Sequence, residues 1–399
     1  MTAWLHIIGI GEEGLDGLTA AARSAIEDAK YIIGGKRHHA LIGSCSATCI
    51  NWPSPFNALL SKLQDLRGEN VVVLATGDPL WFSVGNKIVT TFEPHELIFY
   101  PHISAFQLAA SKLGWALQDT GCLSVHGRPI ARIKPHVQNA RKLLLLTSNG
   151  KAVADIAVML TELGFGPSKL TALANLGSAD ETRFDGLAQD WVHEVPDLNT
   201  LAIECAASPN TQVLPVSCGL PDDAFEHDGT MTKQDVRAVT LARLGPMPHA
   251  LLWDVGCGCG SVAVEWMRAA QGARAIGIEA RDDRRVMAAA NADNLGGFDL
   301  KLVAGSAPVA LSGLEAPDAI FIGGGLSAEV FELCFAALKP MGRLVCNAVT
   351  LSSEQVLLEK YRLQGGTLTK LQFSHAAAIG GKTGWKPAMP VTQYSVVKK

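Results

Sequence analysis

No stretch of about 18 uninterrupted apolar residues occurs in this chain, so nothing in it reads as a membrane-spanning helix. Equally missing is a basic block long enough to follow a nucleic-acid backbone, and the net charge is −4 at pH 7. A basic stripe interleaved with aromatics, as single-stranded RNA requires, is absent too, so nucleic acid is disfavoured as a partner. The nine cysteines follow no disulfide-rich spacing, which fits reduced thiols. The opening MTAWLHIIGIGEEG lacks the basic and long apolar regions of a signal peptide. A cytoplasmic protein with no membrane partner is the expectation. Charged residues make up only 18% against 48% hydrophobic ones, which excludes a disordered chain and describes a well-packed globular enzyme.

What is present is too long, at 399 residues, for one ordinary core. Two series of strands and helices are legible. In the first, apolar runs at Trp4 to Gly11, Asn70 to Thr76, His95 to Pro101 and Arg141 to Ser148 read as strands. Leu15, Leu18, Ala22, Ile26 and Ala29 recur at helical spacing between the first strand and the next. Such alternation predicts an α/β domain with a largely parallel sheet. Around Pro196 to His227 the pattern breaks into Pro, Gly, Ser and Asp. We expect one domain over 1–205, a linker over 206–224 and a second domain over 225–399. Strands of the second are expected at 250–255, 274–279, 301–304, 319–322 and 343–348.

The second domain opens on ALLWDVGCGCGSVAVEWMR. Gly256, Gly258 and Gly260 follow a strand directly, and without Cβ atoms they permit a tight turn and a close ligand. A dinucleotide fingerprint needs its third glycine one place later. Asp254 before the loop and Glu279 roughly twenty residues on, where a carboxylate can hold a ribose diol, favour a sulfonium-bearing methyl donor over a nicotinamide. Cys257 and Cys259 form one C-x-C pair without a partner pair, so no metal is expected.

The first domain does contain G-x-G-x-x-G, at Gly9, Gly11 and Gly14. Glu12 and Glu13 stand where a pyrophosphate would need N–H donors, so a dinucleotide is disfavoured. Farther on come ATGDPLWFSVG, YPHISAFQLAASKLGWALQD, VHGRP and LANLGSADETRFDG. Taken in order with the first glycine strand, these resemble the tetrapyrrole methylases over almost all of 1–205. The second half, through HDGTMTKQDVRAVTLARLGPMPHALLWDVGCGCGSVAVEWMRA, PDAIFIGGGL and ALKPMGRLVCNAVTLSSE, resembles the precorrin methyltransferase domains.

The resemblance implies a fold: a two-lobed tetrapyrrole methylase domain followed by a Rossmann-like class I methyltransferase domain. It implies S-adenosylmethionine as cofactor, with one site per domain. Gly9, Gly77, Asp78, Pro79, Ile103 and Ser104 would line the first site. Thr232, Asp254, Gly256, Cys257, Gly258, Cys259, Gly260, Glu279, Ser306 and Ala307 would line the second. The family often has an acid beside the last position, where this chain has Ser306.

The implied reaction is methylation of carbons 5 and 15 of a corrinoid macrocycle with loss of carbon dioxide from the ring C acetate. The first half would methylate carbon 5, and the second half would methylate carbon 15 and decarboxylate. Methyl transfer is an in-line displacement in which a protein mainly supplies alignment and excludes water, so no nucleophilic triad is needed. A polycarboxylate substrate calls for cations. Lys36, Arg37, His38, His126, Arg128, His227, Lys233 and Arg237 are candidates, each with the alternative of a solvated surface charge. Of these, His126, Arg128, Lys233 and Arg237 are also candidates for a catalytic role, and His126 could carry a proton. Trp81, Phe82 and Trp115 could stack on the macrocycle or simply pack the core. A Rossmann-like RNA or protein methyltransferase and a non-enzymatic corrinoid carrier are the competing readings. Self-association into a homo-oligomer is expected from the family.

Overall fold

Apolar, β-branched runs such as LHIIGI and VVVLAT are buried on both faces, as strands covered by helices on either side must be. The computed structural model describes residues 3–56 and 58–399. By internal contacts the chain divides into two units, Met1–Ile130 with Asn139–Gln212, and Ala131–Gln138 with Val213–Lys399.

The first unit holds two sheets. One contains β1 (Leu5–Ile10), β2 (Tyr31–Gly34), β3 (Thr48–Asn51), β4 (Val71–Thr76) and β5 (Leu97–Tyr100) in the order β3-β2-β4-β1-β5, all parallel. The other contains β6 (Thr120–Ser124), β7 (Lys142–Leu146), β8 (Lys169–Ala174), β9 (Thr182–Leu187) and β10 (Asn199–Glu204) in the order β6-β7-β10-β8-β9. Here only β6 and β7 are parallel. The largely parallel expectation therefore holds for one sheet and not the other. Only a short loop joins β8 to β9, too little chain for a parallel crossover, so they pair as a hairpin.

The second unit carries β11 (Leu251–Val255), β12 (Arg274–Glu279), β13 (Leu300–Ala304), β14 (Ala319–Ile322), β15 (Arg343–Ala348) and β16 (Thr367–Leu371). A separate hairpin, β17 (Ser374–Ile379) with β18 (Lys382–Pro387), precedes β19 (Val391–Val397). The sheet order is β13-β12-β11-β14-β15-β19-β16, parallel through β15 and antiparallel about β19. The helix Ser261–Ala269 seats Val262, Ala263, Trp266 and Met267 on one face of the sheet. Within 206–224, Leu220 is fully buried and packs with Phe225, Val264, Ala292 and Leu295. No helix among the described residues is long and apolar enough to cross a membrane.

Candidate functional site

In the second unit β11, β12 and β14 end side by side at Val255, Glu279 and Ile322. Chain order reverses about β11, and such a switch point is where open α/β sheets bind ligands. A cavity of about 890 Å³ opens there. Its wall includes Thr232, Lys233, Asp254, Gly256, Cys257, Gly258, Glu279, Ser306 and Ala307. Gly256 has φ +71°, and a Cβ on it would lie 2.9 Å from the backbone of Gly324. Only glycine fits there.

Two carboxylates organise this loop. Glu279 accepts the Gly258 N–H with one oxygen and the Arg281 N–H with the other, each at 3.0 Å. Asp254 accepts the Ala263 N–H at 3.1 Å through Oδ2. Its Oδ1 is buried with no hydrogen-bond partner. Burial, with the Glu279 charge nearby, pushes the Asp254 carboxyl up to about 7. An orphaned buried carboxylate oxygen on the wall is a place for a cationic group, and S-adenosylmethionine carries a sulfonium and an ammonium. The donor set fits that cofactor.

Other expected residues lie elsewhere. Cys259 and Gly260 are off the cavity wall; the Cys259 carbonyl accepts from Asn291 Nδ2 at 2.9 Å, which holds the loop. Burial raises both loop thiols, Cys257 and Cys259, so neither is an ionised nucleophile. His227 sits outside the wall, its Nδ1 accepting the Gly229 N–H. Arg237 is a correction. It is fully buried, donates to Glu265 at 2.6 Å, Asp222 at 3.0 Å and the carbonyls of Thr232 and Leu220, and does not reach the cavity. Sequence reading missed Arg284, a wall residue held by Asp228 at 2.7 Å, and Asn347.

A cavity of about 370 Å³ opens in the first unit, beyond the carboxyl ends of β1 and β4, where Ile10 and Thr76 pair. Gly77, Ile103, Ser104, Arg37, His38, His126, Trp81 and Phe82 line it. Thr76 Oγ1 accepts from Arg37 Nη2 at 2.7 Å and from His38 Nε2 at 2.9 Å. His38 Nδ1 accepts the Gly35 N–H, so Nε2 carries the ring proton. Burial and then the Arg37 charge push this imidazole down to about 4. Arg37 also pairs with Glu12, a wall residue that sequence reading assigned only to repelling phosphate.

Gly9, Asp78, Pro79, Lys36, Arg128 and Trp115 are not on this wall. Gly9 is a packing glycine: a Cβ would lie 2.2 Å from the Gly77 carbonyl and 2.7 Å from His102 Cβ. Asp78 caps its own turn by accepting the Leu80 N–H at 2.7 Å, and the Pro79 carbonyl accepts from Gly85. Lys142 lies over the Trp115 ring. Arg128 is exposed. Gly77, at φ +62°, brings the loop against Ser104, where a Cβ would lie 3.0 Å from Ser104 Cα. That open backbone next to the Thr76 hydroxyl suits the same cofactor.

Fold and sites define a methyltransferase built from two domains. Residues 4–191 match the family described as Tetrapyrrole (Corrin/Porphyrin) Methylases and residues 223–398 match the Precorrin methyltransferase domain. A precorrin-6Y C(5,15)-methyltransferase [decarboxylating] from Sinorhizobium sp is 45% identical over 401 residues, covering 100% of this chain and 97% of that relative. The chain belongs to the precorrin-6Y C5,15-methyltransferase (decarboxylating) family, whose methyltransferases use S-adenosylmethionine. Two shorter relatives match as well. A cobalt-precorrin-7 C(5)-methyltransferase from Salmonella typhimurium is 30% identical over 50% of this chain and 98% of itself. A probable cobalt-precorrin-6B C(15)-methyltransferase (decarboxylating) from Pyrobaculum calidifontis is 37% identical over 35% of this chain and 75% of itself.

Proposed function

We propose that the two units each bind their own molecule of S-adenosylmethionine and divide one conversion between them. The overall substrate is precorrin-6B, and the first unit performs the methylation at carbon 5. The second methylates carbon 15 and releases the ring C acetate carboxyl as carbon dioxide, so that the product is precorrin-8X in cobalamin biosynthesis. The observation that carries this reading is the pair of separate cavities, each walled by residues of one unit. That one relative is named for the C5 transfer alone and another for C15 and decarboxylation supports a division by domain.

S-adenosylmethionine supplies an electrophilic methyl group. In the second unit Glu279 would hold the ribose diol and the unpaired Oδ1 of Asp254 would offer its charge to the cationic end. Lys233 and Arg284 on the same wall receive substrate carboxylates. In the first unit the Gly77 backbone and the Thr76 hydroxyl hold the donor, and Arg37 offers charge to the macrocycle's acid side chains. The conjugated ring itself accepts the electrons left by decarboxylation, as a bound cofactor would.

Calorimetric titration of the full chain with the demethylated donor product, S-adenosylhomocysteine, tests this. Two sites per chain are expected, one lost in a Glu279→Ala variant and the other in a Gly77→Val variant. A single site in the unsubstituted chain would overturn the reading.

A further inference from the structure

We propose that His126 takes up the proton released when carbon 5 is methylated, a role that rests on assigning that transfer to the first unit. Replacing a ring hydrogen by methyl balances only if a proton leaves. The new C–C bond forms, the donor's C–S bond breaks with its pair returning to sulfur, and the macrocycle keeps the pair of the bond that loses the proton. The first cavity therefore needs a proton acceptor.

Among the described residues on its wall, Glu12, Arg37, His38, His126 and Asp197 can carry charge. All but His126 are committed or unsuited. Glu12 is paired with Arg37, and a guanidinium accepts nothing. His38 has both ring nitrogens engaged, by Gly35 and Thr76, and its low basicity makes it a poor acceptor. Asp197 Oδ1 accepts the Gly150 N–H at 3.1 Å, and a carboxylate is a weaker base than an imidazole. His126 alone presents an open basic nitrogen. Its Nδ1 lies 3.3 Å from the Thr147 carbonyl, which can only accept, so Nδ1 bears the ring hydrogen and Nε2 the lone pair.

The ring is held by a braced strand end. Thr147 Oγ1 donates to Asn199 Oδ1 at 2.7 Å in a buried contact, and Asn199 Nδ2 donates to the Pro196 carbonyl at 2.8 Å. Ser148 Oγ accepts from Gly127 N at 3.2 Å and donates to the Val125 carbonyl at 2.9 Å, tying down the loop on either side of His126. A hydrogen bond that fixes the tautomer in this way is how a histidine is set up as a base.

The test uses the full chain, precorrin-6B and a donor with a 13C methyl group, reading incorporation at carbons 5 and 15 separately by NMR. In His126→Gln and His126→Ala, kcat at carbon 5 should fall roughly a hundred- to ten-thousand-fold with KM unchanged. The acid limb of its pH profile should vanish, free imidazole should restore turnover to His126→Ala, and carbon 15 should be methylated as before. A second readout needs no variant and no turnover: 15N histidine spectra of the unliganded chain should show neutral His126 protonated on Nδ1. Protonation on Nε2, a change confined to KM, or a retained acid limb would overturn the proposal. An unsubstituted chain that adds no methyl to carbon 5 would instead overturn the assignment on which the proposal rests.

Discussion

Asp254 and Ala263 are tied across the glycine loop at 3.1 Å, and the bond uses only one of the two carboxylate oxygens. The other is buried and unpaired, and the group titrates near 7 because burial disfavours its charge. A cationic ligand selects the ionised form. Affinity of the second site for S-adenosylmethionine should therefore strengthen as pH rises toward about 7, by up to about tenfold per unit, and then level. The stability of the ligand-free chain should move the opposite way. With its folded value raised, Asp254 contributes fully below about pH 4, and that contribution is lost as pH rises through about 7. Asp254→Asn should flatten both profiles, as read by calorimetry and by denaturant unfolding.

Glu279→Gln should leave one backbone N–H of the pair Gly258 and Arg281 without its acceptor. A buried unpaired donor costs about 1–3 kcal/mol, so donor binding at the second site should weaken roughly ten- to a hundredfold. The first site should be unchanged in the same titration. Equal weakening at both would contradict the separate roles given to the two cavities.

Gly9→Ala separates packing from ligand contact. The new methyl would meet the Gly77 carbonyl and His102 inside hard-sphere distance. A loss of about 2–3 kcal/mol in unfolding free energy is expected. Intact stability with a selective loss of donor affinity would instead make Gly9 a binding residue.

Arg237→Ala should destabilise the chain by about 3–5 kcal/mol, because Glu265 would be left buried without its cation. KM for the corrinoid, measured on the folded fraction, should not rise. The double variant Arg237→Met with Glu265→Leu should not recover the stability, because it also strips the Gly219 and Leu220 N–H groups of their acceptor. A raised KM with normal stability would return Arg237 to the substrate.

The second unit's core was legible because its strands are short apolar runs bounded by turn residues. Strands β12, β14 and β15 fall at the residues expected, and β11 and β13 within one. The glycine loop carries its own signal, since positive φ at Gly256, Gly258 and Gly260 demands the residue that is there. Pairing over long distance is what the pattern does not contain. Strand β10 fits antiparallel between β7 and β8, and β19 returns after a hairpin to lie between β15 and β16, with no local mark in either run. The same limit explains the cations. Nothing adjacent to Arg237 announces Glu265 on another helix, and nothing beside Arg37 announces that Glu12 and Thr76 close around it. A charged residue in an amphipathic stretch reads as solvated until its distant partner is placed.

Each cavity draws its described wall from a single unit, with none contributed by the other. Lesions in the two halves should therefore fall into different complementation groups. A chain disabled at Glu279 and another disabled at His126 should together restore the complete conversion when mixed in one tube, provided the singly methylated intermediate can leave one molecule and enter the next.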